Sequence, residues 1–152
     1  MKKKVLNLML LVSIMTALII MLPLSVNAAP ESGKCGDSLT WTLDDEGTLT
    51  ISGSGDMYNY YPPDRYAPWC PYSNFADINK VVIEGNVSRI GDYAFYDCKT
   101  LESIKIPDSV KSIGTYAFAA CEKLGSIRIP NGLKDIGKTI FIGCSGLESI
   151  QV

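Results

Sequence analysis

From Ile78 onward, apolar and polar positions recur together at a fixed interval of 23 residues. Ile90-Gly91, Phe95, Cys98, Leu101, Ile104, Ile106, Pro107 and Val110 are answered by Ile113-Gly114, Phe118, Cys121, Leu124, Ile127, Ile129, Pro130 and Leu133. They are answered again by Ile136-Gly137, Phe141, Cys144, Leu147, Ile150 and Val152. Backwards by the same step, Ile78, Val81, Ile83 and Val87 form half a repeat. The pattern predicts a half repeat over 78–89, full repeats over 90–112 and 113–135, and a partial one over 136–152. Self-similarity at such a period marks a solenoid, in which each turn of chain stacks on the next and cannot bury its apolar side alone.

Within a repeat, Leu101-x-x-Ile104-x-Ile106 ends in the alternation of a strand, and Pro107 stops it for want of an N–H. Turn-forming pairs follow, Asp108-Ser109, Asn131-Gly132 and Gly85-Asn86, before Val110, Leu133 and Val87 return to the core. Tyr93-Ala94-Phe95 and Tyr116-Ala117-Phe118 are too short for a full helix and are expected as one helical or 3₁₀ turn on the outer side. The predicted fold is a β-rich α/β solenoid of short parallel strands. Residues one period apart then lie roughly 4.8 Å from each other, which stacks Phe95, Phe118 and Phe141 in one core ladder and Cys98, Cys121 and Cys144 in another.

Ahead of the repeats, Ser38–Leu43 and Thr48–Ser52 alternate and flank Asp44-Asp45-Glu46-Gly47, which predicts a β-hairpin. The three acids lack the spaced oxygen ligands of a calcium loop and read as a solvated turn. The tyrosine- and proline-rich stretch from Met57 to Tyr72 is expected either to lid the open end of the repeat core or to offer aromatic faces to a sugar or protein; its place just before Ile78 favours the lid. Residues 37–77 are thus read as a hairpin and aromatic cap, and 29–36, small and polar, as a flexible, disordered leader.

The phrase Ile-Gly-x-x-Ala-Phe-x-x-Cys-x-x-Leu-x-x-Ile-x-Ile-Pro-x-x-Val, met from Ile90 to Val110 and from Ile113 to Leu133, resembles the BspA-like leucine-rich repeats of bacterial secreted and cell-surface proteins. Trp41-Thr42-Leu43, Gly47 to Met57 and Pro68-Trp69 resemble the segment that introduces those repeats in many clostridial members. The third repeat departs from the pattern, with Ile140 in place of Ala94 and Ala117 and Gly143 in place of Asp97. The resemblance implies a leucine-rich repeat fold. Because some members act as adhesins, it also implies binding of an extracellular protein or glycan.

At the start of the chain, Lys2-Lys3-Lys4, the apolar run Val5–Leu24 and Val26-Asn27-Ala28 make a signal peptide over 1–28, with cleavage expected after Ala28. Secretion or cell-surface display follows, with no stable membrane span once the segment is removed; retention as an anchor is the alternative. Cleavage removes three lysines and leaves 11 basic against 16 acidic side chains, a balance that argues against nucleic acid.

There is no histidine, which removes Ser-His-Asp and Cys-His catalysis and histidine zinc sites together. Gly53-Ser54-Gly55 lacks the rest of a dinucleotide fingerprint, so no cofactor, metal or catalytic residue is expected. Of the five cysteines, three fall at one repeat position and read as packing groups. Cys35 and Cys70 lie outside the ladder and are candidates for a disulfide between hairpin and aromatic segment.

Stacked strands present their outward residues in rows, here Ser103, Ser126 and Ser149 beside Lys105, Arg128 and Gln151, with Lys80 and Val82 at the matching places of the half repeat. Like charges one rung apart are unfavourable, which singles out this face for an acidic ligand, although an ordinary wet surface carries the same pattern. The last repeat stops at its strand, so an open rung, end-to-end association, or a longer solenoid of which this is a fragment is expected. Two function classes stand: an exported adhesion module, or the repeat portion of a larger secreted enzyme or wall-anchored protein.

Overall fold

The computed structural model describes residues 31–70 and 77–152. The signal peptide expected over 1–28 lies outside the described residues; no helix among those described is long and apolar enough to cross a membrane. Strands β1 (Glu31–Lys34), β2 (Leu39–Leu43), β3 (Thr48–Asp56), β4 (Lys80–Ile83), β5 (Asn86–Ile90), β6 (Ser103–Lys105), β7 (Ser112–Ile113), β8 (Ser126–Arg128), β9 (Asp135–Ile136) and β10 (Ser149–Gln151) form one curled sheet, eight of them in the order β10-β8-β6-β4-β3-β5-β7-β9, with β2 branching from β3 and β1 paired to β2.

The repeat strands pair in parallel one period apart: Ile104 opposite Ile127 and Ile127 opposite Ile150, with no slip. Alternation drives this register, because a one-residue shift would turn Ile104 and Ile127, both buried, out to solvent. A second column, β5, β7 and β9, pairs in parallel on the other side of the core, Ile90 against Ile113 and Ile113 against Ile136. Strand β3 joins the columns. Thr48–Ile51 pairs with β4, and Ser54–Asp56 pairs with β5 through a bulge between Gly55 and Asp56. The bend falls at Gly53, whose φ of 113° a side chain resists and whose Cβ would strike Ser38 O.

Between the second column and the next β6-type strand there is no helix, and the helical or 3₁₀ turn expected at Tyr93-Ala94-Phe95 is corrected accordingly. The backbone swings to φ 53° at Tyr93 and 60° at Asp97, and likewise at Tyr116 and Ala120. Alternate N–H groups then serve two directions. Ala94, Tyr96 and Cys98 close tight turns onto Gly91, Tyr93 and Phe95, while Tyr93, Phe95 and Asp97 donate to the carbonyls of Thr115, Ala117 and Ala119 on the next rung. A helix would spend every N–H within its own rung. Left-handed conformations at bulky residues cost of order 1–3 kcal/mol each and persist where surrounding bonds over-determine them, as this ladder does.

The glycine of each Ile-Gly pair has a different reason. A Cβ on Gly91 would strike Tyr58 O, one on Gly114 the Gly91–Asp92 backbone, and one on Gly137 the Gly114–Thr115 backbone. Close approach of consecutive rungs, not a turn, requires it.

The hairpin is as expected, with Leu43 opposite Leu49 and the Asp44–Gly47 turn closed by Asp44 Oδ1 accepting from the N–H groups of Glu46 and Thr48. The leader expected to be disordered over 29–36 instead carries β1, paired antiparallel to β2 from Glu31–Leu43 to Lys34–Thr40, and Cys35 is fully buried behind it. The aromatic segment covers the first rung. Trp69, 2 % exposed, stacks on Phe95 at 5.9 Å and donates Nε1–H to Ala94 O at 2.8 Å. Trp41 and Tyr60 meet its ring edge-on. Trp69 and Tyr60 thus face the core, while Tyr61 stays exposed and Tyr72 lies outside the described residues.

Candidate ligand-binding face

Two ladders fill the interior. Phe95 and Phe118 stack at 5.4 Å and 6°, and Phe118 and Phe141 at 6.0 Å and 18°, a column that Trp69 continues at its head. The third repeat keeps this register despite its substitutions, Ile140 being buried where its counterparts are alanines.

The cysteines run alongside. Cys121 Sγ donates to Phe95 O at 3.2 Å and Cys144 Sγ to Phe118 O at 3.0 Å, so each thiol ties its rung to the preceding one. Burial pushes the Cys98 thiol up, and a hydrogen bond to Cys144 together with burial does the same at Cys121. That bond favours a Cys144 thiolate, yet the donation from Cys144 to Phe118 O needs the proton, and the same donation recurs at Cys121. The column is built on protonated thiols. The disulfide expected between Cys35 and Cys70 is not formed. Both are buried; Cys35, pushed up to about 12 by burial, sits near Tyr60, and Cys70 sits by Cys98.

On the outside, the strand registers bring all seven sequence-predicted face residues together. Lys80, Ser103, Ser126 and Ser149 form one row, extended to Thr48 by β3. Val82, Lys105, Arg128 and Gln151 form the next, extended to Thr50. All are exposed except the half-buried Val82, Thr48 and Thr50. An acidic margin flanks the serine row, since Glu102 and Glu148 follow one another through Gly125 at the preceding position.

Charge is not evenly available along the rows. Arg128 leans to Asp108 at 3.5 Å, an exposed pair of little energetic weight that still orients the guanidinium. Lys80 and Lys105 have no ion-pair partner among the described residues. Between them opens a groove of about 370 Å³ along β4 and β6, floored by Val82 and edged by Ser103. Sequence reasoning placed the rows but missed the groove and the Asp108 contact. Asp108 is 20 positions from Arg128 and gives no periodic signal. Among the described residues no group of three or more histidine, cysteine, aspartate or glutamate side chains is arranged to hold a metal.

A family model described as BspA type Leucine rich repeat region (6 copies) matches residues 71–152. Among solved structures, a leucine-rich repeat protein from Eubacterium ventriosum is similar at 21 % identity and TM-score 0.56, the alignment covering 81 % of this chain and 44 % of that one. One from Bacteroides capillosus is similar at 16 % identity and TM-score 0.52, over 79 % of this chain and 96 % of that one. The present chain therefore spans under half the length of the first and nearly all of the second, and at these identities the likeness establishes the fold alone. No curated protein matches the sequence.

Proposed function

The chain belongs to the BspA-type leucine-rich repeat family, and from that premise we propose that it is an exported, non-catalytic module that binds a protein or glycan at the cell surface. The observation that carries this reading is the unbroken register of the outward rows from Lys80 to Ser149 and from Val82 to Gln151, left open to solvent. A repeated flat face of this kind suits contact with a macromolecule better than enclosure of a small substrate. Net negative charge and export sequence favour an extracellular partner over nucleic acid.

Capture of the purified secreted chain on immobilised extracellular matrix proteins and surface glycans tests the module. Saturable capture is expected, and the combined Lys80→Glu, Lys105→Glu and Arg128→Glu variant should weaken it by about tenfold or more through charge repulsion alone. Unchanged capture in that variant rejects the face.

A further inference from the structure

We propose that the groove between β4 and β6 docks an acidic protein segment, in which one apolar side chain rests on Val82 and flanking carboxylates pair with Lys80 and Lys105. This rests on the outward strand face being the binding surface. The strand register sets Lys80 opposite Ser103 and Val82 opposite Lys105. The two lysines therefore sit on one diagonal, their Cα atoms roughly 7–8 Å apart, and Val82 and Ser103 sit on the other. The two side chains carry like charge on neighbouring strands, and neither is ion-paired with a carboxylate among the described residues. Among the described residues, three other cations do reach carboxylates: Arg89 pairs with Asp92, Lys99 with Asp97 and Glu122, and Arg128 with Asp108. An acidic protein that leaves two adjacent lysines unpaired around an open groove presents a site complementary to an anion.

The lining selects among anions. Val82 gives an aliphatic floor, and no aromatic ring borders the groove, so a sugar finds no face to stack upon. A peptide carrying an aliphatic side chain between acids satisfies both floor and rim. Strand addition is closed to it, because β4 lies between β3 and β6, and β6 between β4 and β8. The segment lies across the face and is read by side chains. Of the basic residues on the face, Lys80 and Lys105 line the groove, whereas Arg128, opposite Lys105 on the next rung, lies outside that lining and leans to Asp108.

The test is fluorescence anisotropy of the full secreted chain with a short fluorescein-labelled peptide holding leucine between pairs of glutamates. Saturable binding is expected, weakened about tenfold by Lys80→Glu or Lys105→Glu, several-fold by Val82→Ser, and less than about twofold by Arg128→Glu. Higher salt should weaken it further. Absence of saturable binding, an equal loss in the Arg128 variant, or stronger occupancy of the groove by a heparin-derived oligosaccharide than by the peptide would each overturn the proposal. Surface capture that the triple charge reversal still abolishes would show such a failure to be confined to the groove. The lysines are exposed, so circular dichroism of the variants should match the parent.

Discussion

Ile127 and Ile150 hold the same place in successive repeats and pair directly across β8 and β10, yet 1 % of the first is exposed and 51 % of the second. Ile113 and Ile136, facing each other across β7 and β9, differ in the same way, at 1 % and 54 %. Chemistry and register are identical within each pair. The difference is a following rung. Burial in this molecule is thus supplied between rungs and not within them, which is why the N-terminal side needs Trp69, Tyr60 and the hairpin laid over Phe95.

The contrast can be broken by equal truncations at its two ends. Phe118, fully buried between two stacked rings, should lose about 3–5 kcal/mol on Phe118→Ala, whereas Phe141→Ala, with one stacking partner and a half-buried ring, should lose about half as much. Chemical denaturation of both variants checks the pair. Equal losses would mean that stability does not depend on sandwiching by neighbours.

A smaller effect sharpens the same point at the backbone. Gly114→Ala drives a methyl into the Gly91–Asp92 backbone and should destabilise by about 1–3 kcal/mol, while Gly125→Ala, with nothing within 4 Å of its Cβ, should change stability by less than about 0.5 kcal/mol. Thermal melts of the two proteins side by side measure the difference. The motif glycine is then a contact between rungs, and the non-motif glycine only filler.

What the sequence reveals follows the same division. The β4-β6-β8-β10 column and both ladders were legible because they repeat at 23 residues and alternate. The column of β5, β7 and β9 was not, since a two-residue strand such as Ser112–Ile113 has no room to alternate. Strand β3 was legible as an arm of the hairpin, but its parallel pairing with the repeat strands was not, for another reason. Leu49-Thr50-Ile51-Ser52-Gly53 matches Val81-Val82-Ile83-Glu84-Gly85 and pairs with it, but the 32-residue offset falls outside the period.

β1 gave no warning at all, as Glu-Ser-Gly-Lys has neither alternation nor β-formers, and its pairing comes from the exposed edge of β2. The turns at Tyr93 and Tyr116 contradict local preference outright, because the demand of the next rung's carbonyls overrides it. For the candidate face, position was legible from register alone. Which cations stand unpaired was not, because Asp108 reaches Arg128 only in three dimensions.

A double-mutant cycle on Phe95 and Phe118 addresses the stacking of like residues most directly. Phe95→Leu, Phe118→Leu and the double variant, unfolded in urea, should give a coupling of about 0.5–1.5 kcal/mol, as rings 5.4 Å apart and nearly parallel require. Losses that add to within about 0.3 kcal/mol would mean the two rings do not touch, and the columnar core would be wrong.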